Sequence, residues 1–183
     1  GAACLDLVTP THFTDAVLEA LGDEPWPVPV VWNCGGYESA ETLKRLEGRV
    51  QVYLPDLKYF SPELSTAYSH APDSFETACA AISEMYRQVG DPVIDEDTGL
   101  MQHGMIVRHL LLPGQTKDSK KILRYLHETY GDHIYISIMN QYTPMEGIGK
   151  KFPELNRKLT EREYDELVDY AISIGVENGF IQE

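Results

Sequence analysis

The segment MIVRHLLLPGQTKDSKKILRYLHETYGDHIYISIMNQ, residues 105–141, decides the fold class. It opens on an apolar run from Met105 to Leu112 that Pro113 and Gly114 terminate, the pattern of a buried strand. A helical stretch from roughly Asp118 to Tyr130 stops at Gly131, and a second apolar run fills Ile134 to Gln141. Two buried strands separated by one helix make a βαβ unit, and such units build a parallel sheet.

The same alternation extends in both directions. Towards the amino end, Leu5 to Thr9 reads as a strand, and Thr11 to Leu21 as a helix with Phe13, Val17 and Leu21 on one side, stopped by Gly22. Val28 to Asn33 is the next strand, followed by a helix from Ser39 to Glu47 that Gly48 ends. Val50 to Asp56 is the third strand, and a turn at Ser61 and Pro62 leads to the clearest helix. There Phe75, Cys79, Ile82, Tyr86 and Val89 form one apolar stripe, which places Cys79 in the core, and Asp73 with Glu76 predicts a capping box. Residues 92–103 are acidic and turn-rich, and Asp97, Thr98 and Gly99 predict a surface hairpin. Beyond residue 141, the prolines and glycines of 143–159 predict a long loop. Thr160 and Glu163 then open, as a second capping box, a last helix that buries Tyr164, Leu167, Val168 and Ala171 and ends near Gly179. The expectation is α/β with about five βα units. An open doubly wound sheet and an incomplete parallel barrel both satisfy this periodicity.

Composition narrows the function classes. A chain of 183 residues with 43% hydrophobic and 24% charged residues is that of one ordinary globular domain, here residues 1–183. No stretch reaches the roughly 18 apolar residues of a membrane span, and the first residues lack the basic and apolar regions of a signal peptide, so a cytoplasmic protein without membrane contact is expected. Lysine and arginine number 15 against 29 aspartates and glutamates, and a formal charge of −14 argues against a nucleic-acid partner. Cys4, Cys34 and Cys79 are too few and too widely spaced for a disulfide framework or a zinc ribbon, which leaves them as reduced thiols. The chain carries no G-x-G-x-x-G, Walker loop or G-x-S-x-G elbow.

In parallel α/β folds ligands bind at the carboxyl ends of the strands. Those ends carry Thr9, Thr11 and His12, then Asn33 and Cys34, then Asp56 and Lys58, then Arg108 within its strand, and last Asn140, Gln141 and Tyr142, whereas the amino ends carry nothing comparable. Thr11 reads either as a ligand contact or as a helix cap, and His12 as a proton carrier or a hydrogen-bonded loop histidine. Arg108 interrupts an apolar strand and must find an anion, a carboxylate or water. A structural ion pair with Asp56 and, with Lys58, the capture of a ligand carboxylate are both open. Asp56 and Lys58 lie two apart on an extended segment and project from one face. Gly35 and Gly36 allow either a close backbone approach or a plain turn. His70, His103, His127 and His133 are assigned no chemistry.

The segments LVTPTH (7–12), WNCGGYE (32–38), YLPDLKY (53–59), VRHLLLPG (107–114) and MNQYTP (139–144) together resemble the radical S-adenosylmethionine proteins related to pyruvate formate-lyase activating enzyme. The resemblance implies a partial βα barrel, a [4Fe–4S] cluster with S-adenosylmethionine as cofactors, and a 5′-deoxyadenosyl radical that abstracts hydrogen, in the activating enzymes from a glycine of a partner glycyl-radical enzyme. It further implies that Asn33, Cys34 and Asp56 stand where relatives place cofactor or monovalent-cation contacts. Lys58 matches a lysine near the methionyl carboxylate, and Tyr142 falls near a last-strand contact. Thr9, Pro10, Thr11 and His12 replace the Gly-Gly-Glu-like motif that binds the methionyl amine; Gly36 and Glu38 look like that motif but follow the wrong strand.

The family's Cys-x-x-x-Cys-x-x-Cys loop is absent, and three cysteines 30 and 45 residues apart do not replace it. The chain is therefore expected to hold strands two to six of the family barrel, to bind its cofactors weakly at most, and to be inactive alone. Two other classes stay open: a βα-barrel lyase or aldolase with Lys58 as Schiff-base nucleophile and Asp56 tuning it, and a non-catalytic interaction fragment that self-associates through an exposed sheet edge.

Overall fold

The computed structural model describes residues 1–181. Five strands follow the sequence reading: β1 (Leu5–Val8), β2 (Val30–Cys34), β3 (Val52–Pro55), β5 (Met101–Leu110) and β6 (Tyr135–Met139). Two more complete a seven-stranded sheet among the described residues, the short β4 (Val93–Ile94) and β7 (Gly179–Ile181). The order is β1-β2-β3-β5-β6-β7 with every neighbour parallel, and β4 pairs antiparallel with the start of β5.

The helices are α1 (Thr14–Leu21), α2 (Ala40–Lys44), α3 (Pro62–Ser69), α4 (Ser74–Val89), α5 (Thr116–Tyr130) and α6 (Glu161–Ser173). One core gathers Val30, Trp32 and Cys34 of β2, Tyr53 of β3, Met105 and Val107 of β5, and Ile136 and Ile138 of β6 against helices α1, α2, α4, α5 and α6. Side chains alternate across a strand, so the intervening residues Asn33, Leu54, Arg108 and Ser137 project from the opposite face, where all four are only partly buried. A doubly wound sheet carries helices on both faces. Here the packed helices share one face, which makes the sheet an incomplete barrel.

Several expectations need correction. The turn expected at Ser61 and Pro62 opens α3, with Pro62 at its first position, where the missing N–H costs nothing. Strand β5 starts at Met101, four residues early, because the hairpin with β4 extends it. The last helix ends at Ser173 rather than near Gly179. Gly175, at φ 91°, turns the chain, Val176 N–H returns to Ala171 C=O at 3.1 Å, and β7 docks through Ile136 N–H to Asn178 C=O at 2.9 Å.

Asp73 makes no capping box; its carboxylate instead accepts from Tyr37 Oη at 2.7 Å and Thr77 Oγ1 at 3.4 Å. Thr160 and Glu163 do form one, and Arg157 beside Glu163 holds that carboxyl far below its ordinary range. Cys79 is half-buried beside Tyr125 rather than sealed in the core. Of the two tryptophans, Trp32 is fully buried in β2, while Trp26 is 45% exposed near the amino ends of the strands, its indole N–H donating to Leu21 C=O at 3.0 Å. No helix among the described residues is long and apolar enough to cross a membrane.

Candidate functional site

The tips of β3 and β5 bring three charged side chains together. Asp56, just past β3, forms an isolated parallel bridge with Arg108, and Leu57 N–H donates to Arg108 C=O at 2.9 Å. Arg108 Nε donates to Asp56 Oδ1 at 2.8 Å and Nη2 lies 2.7 Å from the same oxygen, while Lys58 Nζ lies 3.6 Å from Oδ2. The Arg108, Asp56 and Lys58 side chains are 24%, 18% and 48% exposed. One carboxylate thus faces two cations, and the three groups together carry one unit of positive charge on a chain of −14.

Alternation sends the neighbour of Arg108 the other way. His109 is 2% exposed on the helix side, with Nδ1 2.7 Å from Leu57 C=O and Nε2 2.8 Å from Ser119 Oγ. Burial pushes its pKa below the ordinary histidine value, so the ring is neutral: Nδ1–H donates to the carbonyl and Nε2 accepts from the hydroxyl. Sequence reading singled out Arg108 and passed over His109, which fixes the β3 tip to α5. Beside it Asp118 accepts from Phe60 N at 2.8 Å and Ser61 N at 3.1 Å.

The glycine pair after β2 is required by close approach. At Gly36, φ is 84° and an added Cβ would lie 1.8 Å from Asp56 C=O, so the two strand tips press backbone to backbone. A Cβ at Gly35 would meet Lys58 Nζ at 3.5 Å. Between these tips and the α3–α4 turn lies a hollow of about 330 Å³, lined by Gly35, Tyr37, Lys58, Tyr59, Ser69 and His70 among others. Tyr37, Tyr59, Ser69 and His70 have no site role in the sequence reading. Ser69 and His70 reach the hollow at the end of α3, a helix of eight residues whose apolar side is too thin to announce itself, and Tyr37 and Tyr59 reach it from the segments after β2 and β3.

The remaining candidates lie elsewhere. Asn33, half-buried, projects from the same sheet face as Asp56, and its carbonyl accepts from Thr9 N–H at 2.8 Å. Thr9 itself is exposed in a left-handed conformation, φ 53°. Thr11 is no helix cap; its Oγ1 donates to Glu38 Oε1 at 3.2 Å, and the structured turn Pro10–Phe13 has Thr9 at its cap position. Thr11 and the exposed His12 line a separate shallow hollow of about 320 Å³ with Asp15 and Arg45. Tyr142 lines a third, of about 610 Å³, with Asn140, Gln141 and Leu159, and its hydroxyl donates to Leu155 C=O at 2.8 Å. Cys34 points into the core, and burial raises its thiol well above the ordinary value, with Glu38 adding to the shift. The candidate residues therefore divide into a united group, Asn33, Asp56, Lys58 and Arg108, and two outlying ones.

These residues fit the implied cofactors unequally. Cys4 is exposed, Cys34 buried and Cys79 half-buried, and no three metal-ligating side chains come together among the described residues, so an iron–sulfur cluster does not fit them. The net positive charge at Lys58 and Arg108 does fit a carboxylate.

No family model matches the chain. Over 163 residues, 88% of its length, it is 28% identical to an uncharacterized protein of Methanocaldococcus jannaschii, and it spans only 43% of that relative. A crystal structure of a domain of pyruvate-formate lyase-activating enzyme from Bacteroides vulgatus matches 100% of this chain and 99% of its own with a TM-score of 0.65 at 14% identity. At that identity the likeness is one of fold.

Proposed function

We propose that the chain is the cofactor-binding portion of a radical S-adenosylmethionine enzyme of the pyruvate formate-lyase activating type, and that it is inactive alone. The observation that supports this best is the convergence of Asn33, Asp56, Lys58 and Arg108 at adjoining strand tips, within a fold that matches a domain of such an enzyme end to end. In the whole protein, S-adenosylmethionine and a [4Fe–4S] cluster would supply a 5′-deoxyadenosyl radical for hydrogen abstraction, with a glycyl-radical enzyme as partner and the cytoplasm as setting.

The work of this chain's own residues is binding and orientation. Lys58 receives the ligand carboxylate, having the longer contact to Asp56 and the greater freedom. Asp56 holds Arg108 extended along the sheet, so the guanidinium adds charge without moving. Asn33 offers a neutral amide beside them. Leu54, Ile106 and Leu110, partly buried on the same face, give the ligand an apolar bed that excludes water. Thr9, Thr11, His12 and Tyr142 would close on it from the flanking strand ends. The end of β1 carries no carboxylate of its own for the methionyl amine, and Glu38, which reaches Thr11 there from the segment after β2, is buried, so binding by the chain alone is weak.

The test is S-adenosylmethionine binding to the chain by isothermal titration calorimetry. Saturable binding that Lys58→Met weakens roughly tenfold is expected. No binding at millimolar ligand would overturn the reading. Borohydride trapping of a carbonyl compound on Lys58 would replace it with the lyase or aldolase class, and concentration-dependent sedimentation in place of binding would favour an interaction fragment that self-associates through its sheet edge.

A further inference from the structure

We propose that the hollow between α6 and the ends of β6 and β7 binds a small molecule that carries an ammonium on a branched apolar chain, with the ammonium at Glu161 and Asp165 and the chain on Leu159, Val168 and Ile181. At about 610 Å³ against about 330 Å³ it is larger than the hollow at Lys58 and has the size of a small-molecule site. Its floor is apolar and firm. Leu159 and Val168 pack against the core, and Tyr164, 8% exposed, is fixed by its hydroxyl, which donates to Ile138 C=O at 2.9 Å. Ile181 at the edge is 57% exposed, so an apolar chain laid there takes a wetted side chain out of water. The rim is charged and unspent. Glu161 and Asp165 stand one helical turn apart and share a face of α6. On the same helix Glu163 is taken by Arg157 and Glu166 by Lys120, but neither the Glu161 nor the Asp165 carboxylate has an ion pair or a hydrogen bond among the described residues. Lys158 lines the same hollow and pairs with neither.

The charge around the hollow selects the ligand class. Lys158, Glu161 and Asp165 leave one negative charge among them. Beside them Arg157 with Glu163 and Lys120 with Glu166 are neutral pairs, and on the outer side of α6 Arg162 offsets Asp169, so the surroundings keep that single negative charge. One ammonium neutralises it, whereas a carboxylate alone adds to it. Both carboxylates are exposed, so each contributes about fivefold in affinity at most, and the apolar floor supplies the rest. The ammonium can belong to a free amine or to an apolar amino acid, whose carboxylate Lys158 then meets. The hollow lies on the helix side of the sheet and shares only Tyr142 with the proposed function, and the Tyr142 hydroxyl is already given to Leu155 C=O. The inference therefore stands or falls independently of S-adenosylmethionine.

Proton–nitrogen correlation spectra of the labelled chain, titrated in parallel with isoamylamine, leucine, isovalerate and methylammonium at constant ionic strength, test this. Isoamylamine or leucine is expected to shift the amides of Gln141, Thr143, Glu161 and Asp165 saturably, more tightly than isovalerate, which lacks the ammonium, and than methylammonium, which lacks the chain. Glu161→Gln and Asp165→Asn should each weaken that binding by about threefold, while Asp97→Asn in the distant hairpin leaves it unchanged; the same spectra report that each variant is folded. Lys158→Met separates the two sources. It should tighten a free amine by about twofold, through loss of a like charge, and weaken leucine by about threefold, through loss of the partner of its carboxylate. Tighter binding of leucine makes the ligand an amino acid, and tighter binding of isoamylamine makes it a free amine. Equal or tighter binding of isovalerate or methylammonium, no saturation by roughly 50 mM of either isoamylamine or leucine, or binding that survives Glu161→Gln and Asp165→Asn together overturns the inference.

Discussion

The two faces of the sheet solve the problem of buried polarity in different ways. On the helix side, polar groups are sealed and most are bonded: His109 is bonded at both ring nitrogens and Tyr53 Oη donates to Gln88 Oε1 at 2.7 Å, while the buried indole N–H of Trp32 has no partner among the described residues. On the other face, Asp56 and Arg108 form an ion pair at 2.7 Å, yet a fifth or so of each side chain still meets solvent. The first arrangement is what stability demands, since an unpartnered buried group costs more than a bond returns. The second keeps charge within reach of a ligand. A polar group at a strand tip is thus sealed or open to solvent according to the face that alternation gives it.

Mutations that cross this division should separate the faces. The largest effect is expected for Leu123→Ala on α5, fully buried in the helix-side core, at about 2–5 kcal/mol of unfolding free energy, read by chemical denaturation. Leu54→Ala on the open face, already half-exposed, should cost well under half as much. Equal losses would mean that the open face is a second core.

Gly36→Ala forces a Cβ onto Asp56 C=O and a side chain into a left-handed conformation, and should cost about 1–3 kcal/mol. Gly48→Ala, at a similar φ of 78° but with open space around it, reports the strain alone and should cost less.

His109→Gln is expected to lose about 1–3 kcal/mol through Leu57 C=O and Ser119 Oγ. It also sharpens the comparison through pH. The folded protein resists protonation at His109, so between its depressed value and 6.5 the unfolded chain binds the extra proton. Stability is therefore fully present above about pH 6.5 and declines as pH falls below it, and in His109→Gln that decline should flatten. Thermal melts at pH 5.5 and 7.5 read the difference. The smallest effect belongs to Asp15→Ser, which breaks the exposed pair with Arg45 and should move stability by no more than about 0.5 kcal/mol.

How far a sequence reveals such a molecule depends on the length of the signal. Strands β2, β3, β5 and β6 sit between glycines and prolines and have neighbouring helices with full apolar stripes, so periodicity locates them. Strands β4 and β7 have two and three residues, too few for a period of two to be seen, and they exist because a longer strand offers them a partner. Asp73 followed by Glu76 has the spacing of a capping box, but Tyr37, distant in sequence, claims the carboxylate first. At the site, the strand tips Asp56, Lys58 and Arg108 could be found because strand ends are predictable. The wall of Ser69 and His70 could not, since it depends on where a weakly patterned helix packs.

The two tryptophans turn this architecture into a measurement. One indole is dry, in the middle of the parallel core, and the other is wetted at the opposite end of the barrel from the charged rim. Their emission should separate into a blue component that quenchers scarcely reach and a red one they reach at once. Opening of the amino-end loops will register in the red signal before the sheet itself yields.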